Sequence, residues 1–365
     1  MALIALDARK YYDFGIGTYI RHLIREFALL KPTRPFQLYV TPEDAPSIGI
    51  PEGWKKSVVP YGKYSLEELF LLGKKVRSNG ASVFHSPHYT LPFGLKGRSV
   101  VTVHDLIHLR FPQFFTLAQR AYSYMMIRHA INDAQYVITD SEFTRQDILR
   151  SFRVDERKIV PIHLGVADSF RTVDRGPVER FRSKASLERR YLLFVGNTKP
   201  HKGLHVLLDA FATILNTYPD IDLVIAGGSV GEDARLRSLV EAVQFKGRIK
   251  NLQRLSDDDL VFLYNGAEML VLPSLYEGFG LPALEAMACG TPVIVSDAAS
   301  LPEVAGDGAL ICQVGSVDSL SAAIRSLLGD SVLRREMIRK GSARAKTFSW
   351  QSTARKTLEL YDSIA

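Results

Sequence analysis

Cysteine is scarce: Cys289 and Cys312 are the only two in 365 residues, and neither belongs to a C-x-x-C pattern. That excludes a disulfide framework and suits a reducing, cytoplasmic compartment. Long apolar runs are lacking too. No stretch of eighteen apolar residues occurs, so no membrane-spanning helix is expected. The opening "MALIALDARKYYDFGIG" has a short apolar run with neither a basic leader nor a small-residue cleavage site, and it reads as a first β-strand. Low-complexity tracts and repeats of fixed short period are missing as well, which sets aside disordered tails and repeat architectures.

What is present is a chain with 46% hydrophobic residues, long enough for two domains of ordinary size. Short runs rich in β-branched residues alternate with amphipathic stretches of helical length, the pattern of parallel sheets covered by helices. Strands are expected at 2–7, 36–40, 82–85, 100–105, 136–139 and 159–163, then at 191–196, 222–228, 269–273, 292–297 and 309–312. The polar segment 170–190 between the two sets reads as a linker. The expected organisation is therefore α/β: a first doubly wound, Rossmann-like domain over 1–173 and a second over 174–347. Trp350, Ala354, Leu358 and Tyr361 lie at helical spacing in the tail, so a final amphipathic helix at about 348–365 is expected to cover a surface of either domain, packing back on the first being one of the two choices.

The formal charge of +7 is one-sided: residues 1–173 hold 23 Lys and Arg against 16 Asp and Glu, while the remainder is balanced. Such a half attracts phosphate-bearing partners, a membrane surface among them. No recognition module or stacking motif accompanies the charge, which argues against nucleic acid.

The most informative stretch is "EGFGLPALEAMACGTPVIVSD", Glu277 to Asp297. A strand feeds a turn containing Gly278 and Gly280. Pro282 then suits a first helical position and Gly290 a helix end. In a doubly wound sheet such a loop lines the crevice beyond the strand ends, and helix-entry N–H groups there favour oxygen-rich ligands. Two carboxylates, Glu277 and Glu285, repel phosphate but accept hydrogen bonds from vicinal hydroxyls, which points to a sugar or ribose.

With "EGFGLPALE" and the run that follows it, the chain resembles the retaining glycosyltransferases of family 4, which carry an E-x7-E motif on the two-domain GT-B fold. The resemblance covers nearly the whole chain. It implies that Glu285 binds the ribose diol of a nucleotide sugar, and that Glu277 contacts the transferred sugar beside the amides of Gly278, Phe279 and Gly280. Backbone groups around Gln253 to Leu255 are implied to meet the nucleotide base.

"VGNTKPHKGLHVLLDAF" places Lys202 after a strand and at a helix start, where a cation suits a diphosphate. In the family this position resembles the lysine that neutralises the leaving diphosphate, usually beside an arginine; here the neighbour is His201. In "DFGIGTYIRHLIREF", Gly15 and Gly17 precede a helix expected to bury Ile20, Leu23, Ile24 and Phe27. The motif lacks the third glycine of a dinucleotide fingerprint, and the resemblance implies that this loop faces donor diphosphate and acceptor. His104, in "VVTVHDL", ends a strand and matches a family histidine that touches the transferred sugar near its reacting carbon. His85 and His88, in "FHSPHYTLP", are acceptor-side candidates on the same edge.

Two other features are read as structural. Asp220 and Asp222 spell D-x-D, but they start a strand whose ligand edge lies at Gly227 and Gly228, so no metal is expected there. "SDDDL", 256–260, reads as a helix N-cap with acids in the first turn. The aromatic and basic segment 110–131 fits a core helix with its entry loop, or a membrane-surface helix.

The expected activity is transfer of a hexose, with mannose from GDP-mannose as the first choice, to a hydroxyl of a glycan or lipid-linked glycan. No metal or other cofactor is required in this reading, and His104, Lys202 and Glu277 carry the chemistry. Its alternatives are a nucleotide-sugar epimerase on the same fold and an inactive nucleotide-sugar-binding protein.

Overall fold

A computed structural model describes residues 3–232, 234–242, 245 and 247–364. Ala2 and Ala365, at the ends of the expected first strand and last helix, lie outside the described residues. The chain forms two compact units, one of Met1–Gly165 with Trp350–Ala365 and one of Val166–Ser349. The segment 170–190 contains the helix Arg175–Lys184, which belongs to the second unit and buries Val178 and Phe181. Two apolar residues spaced for one helix face are hard to see among so many charges.

The first unit holds a seven-stranded sheet: β1 (Leu3–Asp7), β2 (Phe36–Val40), β3 (Lys55–Val58), β4 (Ala81–Ser86), β5 (Ser99–Val103), β6 (Tyr136–Thr139) and β7 (Ile159–Pro161). The second holds six strands: β8 (Arg190–Gly196), β9 (Ile221–Gly227), β10 (Ile249–Leu252), β11 (Met269–Leu272), β12 (Val293–Ser296) and β13 (Leu310–Cys312). The orders are β3-β2-β1-β4-β5-β6-β7 and β10-β9-β8-β11-β12-β13, and all pairings are parallel. Strands β2, β5, β11 and β12 are buried at every residue, as strands covered on both faces must be. Both sheets are doubly wound, in agreement with the α/β expectation.

In each sheet the winding reverses beside the first strand, between β1 and β4 and between β8 and β11. Ligands of doubly wound sheets bind beyond the carboxyl ends at this switch point. In the first unit it gathers residues 7–10 and 86–88, and in the second residues 196–202 and 273–277.

The final helix, Trp350–Ile364, belongs to the first unit. It buries Trp350, Thr353, Ala354, Thr357 and Tyr361, with His22 stacked on Trp350 at 4.5 Å between ring centres. Thr353 and Thr357 replace Leu358 on the inner face. In the segment 110–131, a helix at Leu117–Asp133 opens on a capping box made by Thr116 and Gln119. It buries Met126, Ile127, Ala130 and Ile131, while Leu117, Tyr124 and Met125 stay exposed.

Candidate active site

In the second unit, two loops meet at the switch point because a glycine lets them. Gly203 has φ +68°, and a Cβ there would lie 2.1 Å from the Pro273 carbonyl oxygen. Only a residue without a side chain allows this crossing. Leu275 N–H donates to the His201 carbonyl at 2.7 Å and fastens the loops further. The crossing carries Lys202, at the end of the 3₁₀ turn Pro200–Lys202, to Glu277. Lys202 Nζ donates to Glu277 Oε1 at 2.7 Å and Oε2 at 2.8 Å. Ser274 Oγ adds a bond to Oε1 at 2.8 Å. Both side chains are mostly but not wholly buried, at 19% and 14% exposure, which strengthens the pair relative to one in water.

The turn after Glu277 is pinned from below. Ser300 Oγ lies 2.9 Å from the carbonyl oxygens of Glu277 and Phe279. Phe279 is buried against Phe348, and Gly280 has φ +110° as the N-cap of helix Leu281–Ala288. Pro282 occupies the first turn of that helix, as expected. Gly278 is half-buried beside Glu277.

Glu285 lies one turn into the helix and accepts a 2.7 Å bond from Tyr264 Oη. Burial of its carboxyl pushes the pKa up to about 7; Tyr264 opposes the shift and Asp257 adds to it. A group that donates hydrogen bonds to this carboxylate favours its charged form. The structure thus joins Lys202 to Glu277 directly and gives Glu285 a separate partner. His201 is buried in the 3₁₀ turn, and Leu255 is half-buried between β10 and the helix Asp257–Gly266. That helix opens on a capping box of Ser256 and Asp259, the role expected for "SDDDL".

In the first unit the glycine motif differs from its expectation. The helix spans Phe14–Leu30, so Gly15 and Gly17 lie inside its first turns instead of before it. Gly17 is buried, and a Cβ would lie 2.4 Å from the Tyr11 carbonyl oxygen. Nothing crowds Gly15. Ile20, Leu23, Ile24 and Phe27 are buried as expected.

His104 follows β5 with Nδ1 2.7 Å from Asp140 Oδ2 and Nε2 3.1 Å from the Pro87 carbonyl oxygen. Both partners are acceptors, which calls for a ring with both nitrogens protonated. Burial opposes that charge, but Asp140 outweighs it and the pKa is raised. His104 is therefore held by Asp140 and the Pro87 carbonyl with both ring nitrogens engaged, an arrangement that favours its protonated form and makes it unsuited to attack.

His85 is a correction. It is fully buried, with Nδ1 2.5 Å from Tyr361 Oη and Nε2 2.9 Å from Thr102 Oγ1. Burial lowers its pKa to about 3, so it is a neutral tie between β4 and the final helix, with no surface for an acceptor. His88 is 7% exposed, its ring 3.9 Å from that of Tyr89 and 5.6 Å from that of Tyr64.

The D-x-D pair is engaged by arginines. Asp222 accepts from Arg248 Nε at 2.7 Å, and Asp220 from Arg190 at 3.2 Å. Among the described residues no group of three His, Cys, Asp or Glu is placed to hold a metal ion. No linear pattern marks Ser274 and Ser300, which hold the Glu277 loop, or Tyr264, which holds Glu285 on the helix that follows. Nor does one mark "DARK" at the end of β1, whose two cations stand at the other switch point.

Residues 15–170 match the family described as Glycosyltransferase Family 4, and residues 177–344 match Glycosyl transferases group 1. The chain is 34% identical to the O-antigen chain mannosyltransferase B of Escherichia coli over 98% of both chains. It is 32% identical to the O-antigen chain mannosyltransferase RfbU of Salmonella typhimurium over 58% of this chain and 54% of that one. Among solved structures, sucrose-phosphate synthase from Thermosynechococcus elongatus superposes with a TM-score of 0.81 at 23% identity, over 100% of this chain and 99% of that one. At that identity the likeness speaks for the fold alone.

Proposed function

The chain belongs to glycosyltransferase family 4 and has the GT-B fold, and from that premise we propose that it transfers mannose from GDP-mannose, with retention of configuration and without a metal, to a hydroxyl of a glycan or lipid-linked glycan. The observation that carries this reading is the Lys202–Glu277 contact at the switch point, with Glu285 on the helix that follows. Similarity to two O-antigen mannosyltransferases supports mannose as the sugar.

In this reading the nucleotide's ribose diol donates to Glu285, and the diphosphate draws on the Lys202 ammonium. As the glycosidic bond breaks, negative charge builds on the leaving phosphate, and Lys202 stabilises it more than it stabilised the bound donor. Glu277, freed in part from Lys202, accepts hydroxyls of the transferred sugar. His104, its Nδ1 held by Asp140, donates from Nε2 to a sugar oxygen in place of the Pro87 carbonyl. The leaving phosphate takes the acceptor proton, so no protein nucleophile is needed.

The basic first unit and its exposed Leu66, Phe70, Leu117 and Met125 support a peripheral contact with the inner face of a membrane. Among the described residues no helix is long and apolar enough to cross one.

A screen of nucleotide sugars by thermal shift, followed by NMR of the product's anomeric centre, tests the proposal. GDP-mannose is expected to raise the melting temperature most, equally with and without EDTA, and to yield an α-mannoside. A larger shift with a UDP-sugar, or a β-product, would overturn the donor or the stereochemical assignment respectively.

A further inference from the structure

Strand β5 presents Thr102 to the helix Phe14–Leu30, and the alternation of a strand puts His104, two residues on, toward the same side. Tyr19 of that helix meets both. It is fully buried, with its hydroxyl 3.1 Å from Thr102 Oγ1 and its ring centre 5.3 Å from that of His104, edge to face at 84°.

The Tyr19 hydroxyl belongs to a chain of hydrogen bonds whose protons fit in one order. Thr357 Oγ1 donates to the Thr353 carbonyl at 2.8 Å, so it accepts in its bond with Tyr19. Tyr19 Oη, having given its only proton there, accepts from Thr102 Oγ1. Thr102 in turn accepts from His85 Nε2 at 2.9 Å. Burial keeps the His85 ring neutral, which leaves its Nδ1 to accept from Tyr361 Oη at 2.5 Å. Tyr361, His85, Thr102, Tyr19 and Thr357 are all fully buried, and the chain starts and ends on the last helix. A satisfied polar network of this kind holds one geometry where apolar packing would tolerate several.

That rigidity has a use at His104. Its ring is held at rest by two acceptors, Asp140 on Nδ1 and the Pro87 carbonyl on Nε2. Once Nε2 turns from Pro87 to a ligand, Asp140 alone leaves the ring free to swing, and the Tyr19 ring is the surface that stops it.

We propose that Tyr19 is a positioning residue for His104: its ring fixes the imidazole plane, and the hydroxyl chain from the last helix fixes Tyr19. The catalytic consequence rests on the glycosyltransferase reading, in which Nε2 donates to a sugar oxygen.

The test uses the full chain with isotope-labelled histidine. NMR follows the Nδ1–H proton of His104, identified by its loss in His104→Gln, and its exchange with water is compared with that of the β5 backbone amides. Tyr19→Leu should quicken the His104 exchange about tenfold or more relative to those amides, as for a weakened charge-assisted bond. Tyr19→Phe keeps the ring and loses its anchor, so it should restore most of the protection and quicken exchange by a smaller factor. Tyr361→Phe, which breaks the chain at its other end, should behave like Tyr19→Phe. With GDP-mannose as donor, kcat of Tyr19→Leu should fall about 10- to 100-fold at an unchanged KM, the cost of a small misplacement, and Tyr19→Phe should recover most of it.

A merely structural tyrosine would lower the melting temperature and quicken His104 and the β5 amides by the same factor. That result, or unchanged His104 exchange in the folded variants, would overturn the proposal; if Tyr19→Leu does not fold, the two Phe variants decide. Quickened exchange with unchanged kcat would overturn its catalytic part. If the parent does not turn over GDP-mannose, the donor assignment falls, and the exchange measurement still decides the positioning.

Discussion

The two switch points of this molecule treat a buried lysine in opposite ways. In the second unit Lys202 is matched: two of its donors reach Glu277, and Ser274 completes the carboxylate. In the first, Lys10 is sealed under Tyr64 with its ammonium unmatched, while the neighbouring Arg9 takes both local carboxylates. The matched site holds a closed charge pair, whereas the unmatched one is short of acceptors.

Removing Lys202 gives the sharpest way to break this comparison. Lys202→Ala should lower turnover about 10²–10³-fold, the usual cost of losing one preorganised stabiliser of developing negative charge. It should also lower the melting temperature, since Glu277 would be left partly buried without its cation. Steady-state kinetics and a melting curve on the same preparation check both.

Next in size is the titration of Glu285. Burial raises its carboxyl pKa to about 7, and hydroxyl donors prefer the carboxylate. Donor affinity should therefore be full above pH 7 and fall by up to about tenfold per pH unit below it, with proton release on binding near neutrality. Calorimetry in buffers of different ionisation enthalpy measures that proton, and Glu285→Gln should flatten the profile. Smallest is the effect within the glycine motif. Gly17→Ala should cost about 1–3 kcal/mol of stability through its clash with Tyr11, whereas Gly15→Ala should be neutral or stabilise by up to about 1 kcal/mol. Denaturant unfolding of the pair separates a packing glycine from a permissive one.

Much of the architecture was legible because fully buried parallel strands spell themselves as apolar runs. The two strands that escaped, β3 with "KKSV" and β10 with "IKNL", are both sheet edges. Edge strands take lysines to discourage further pairing, and so lose the apolar signal. Among the candidate site residues, Glu277 and Lys202 stand out in the sequence because one local motif surrounds each. Their partners were harder to see: Tyr264 lies 21 residues from Glu285, and the contact depends on a fold that a linear pattern does not display. His85 misled for the same reason, since the hydroxyl that seals it, on Tyr361, comes from 276 residues away.

That distance bears on biosynthesis. The first unit begins to emerge from the ribosome before the second, yet it can be completed only when the last helix, Trp350–Ile364, has been made. Until then Trp350 is missing from His22, and Tyr361 from His85 and Phe27, so the nascent sheet carries an uncovered flank while the whole second unit is translated. The half of the chain that starts first is the half that finishes last.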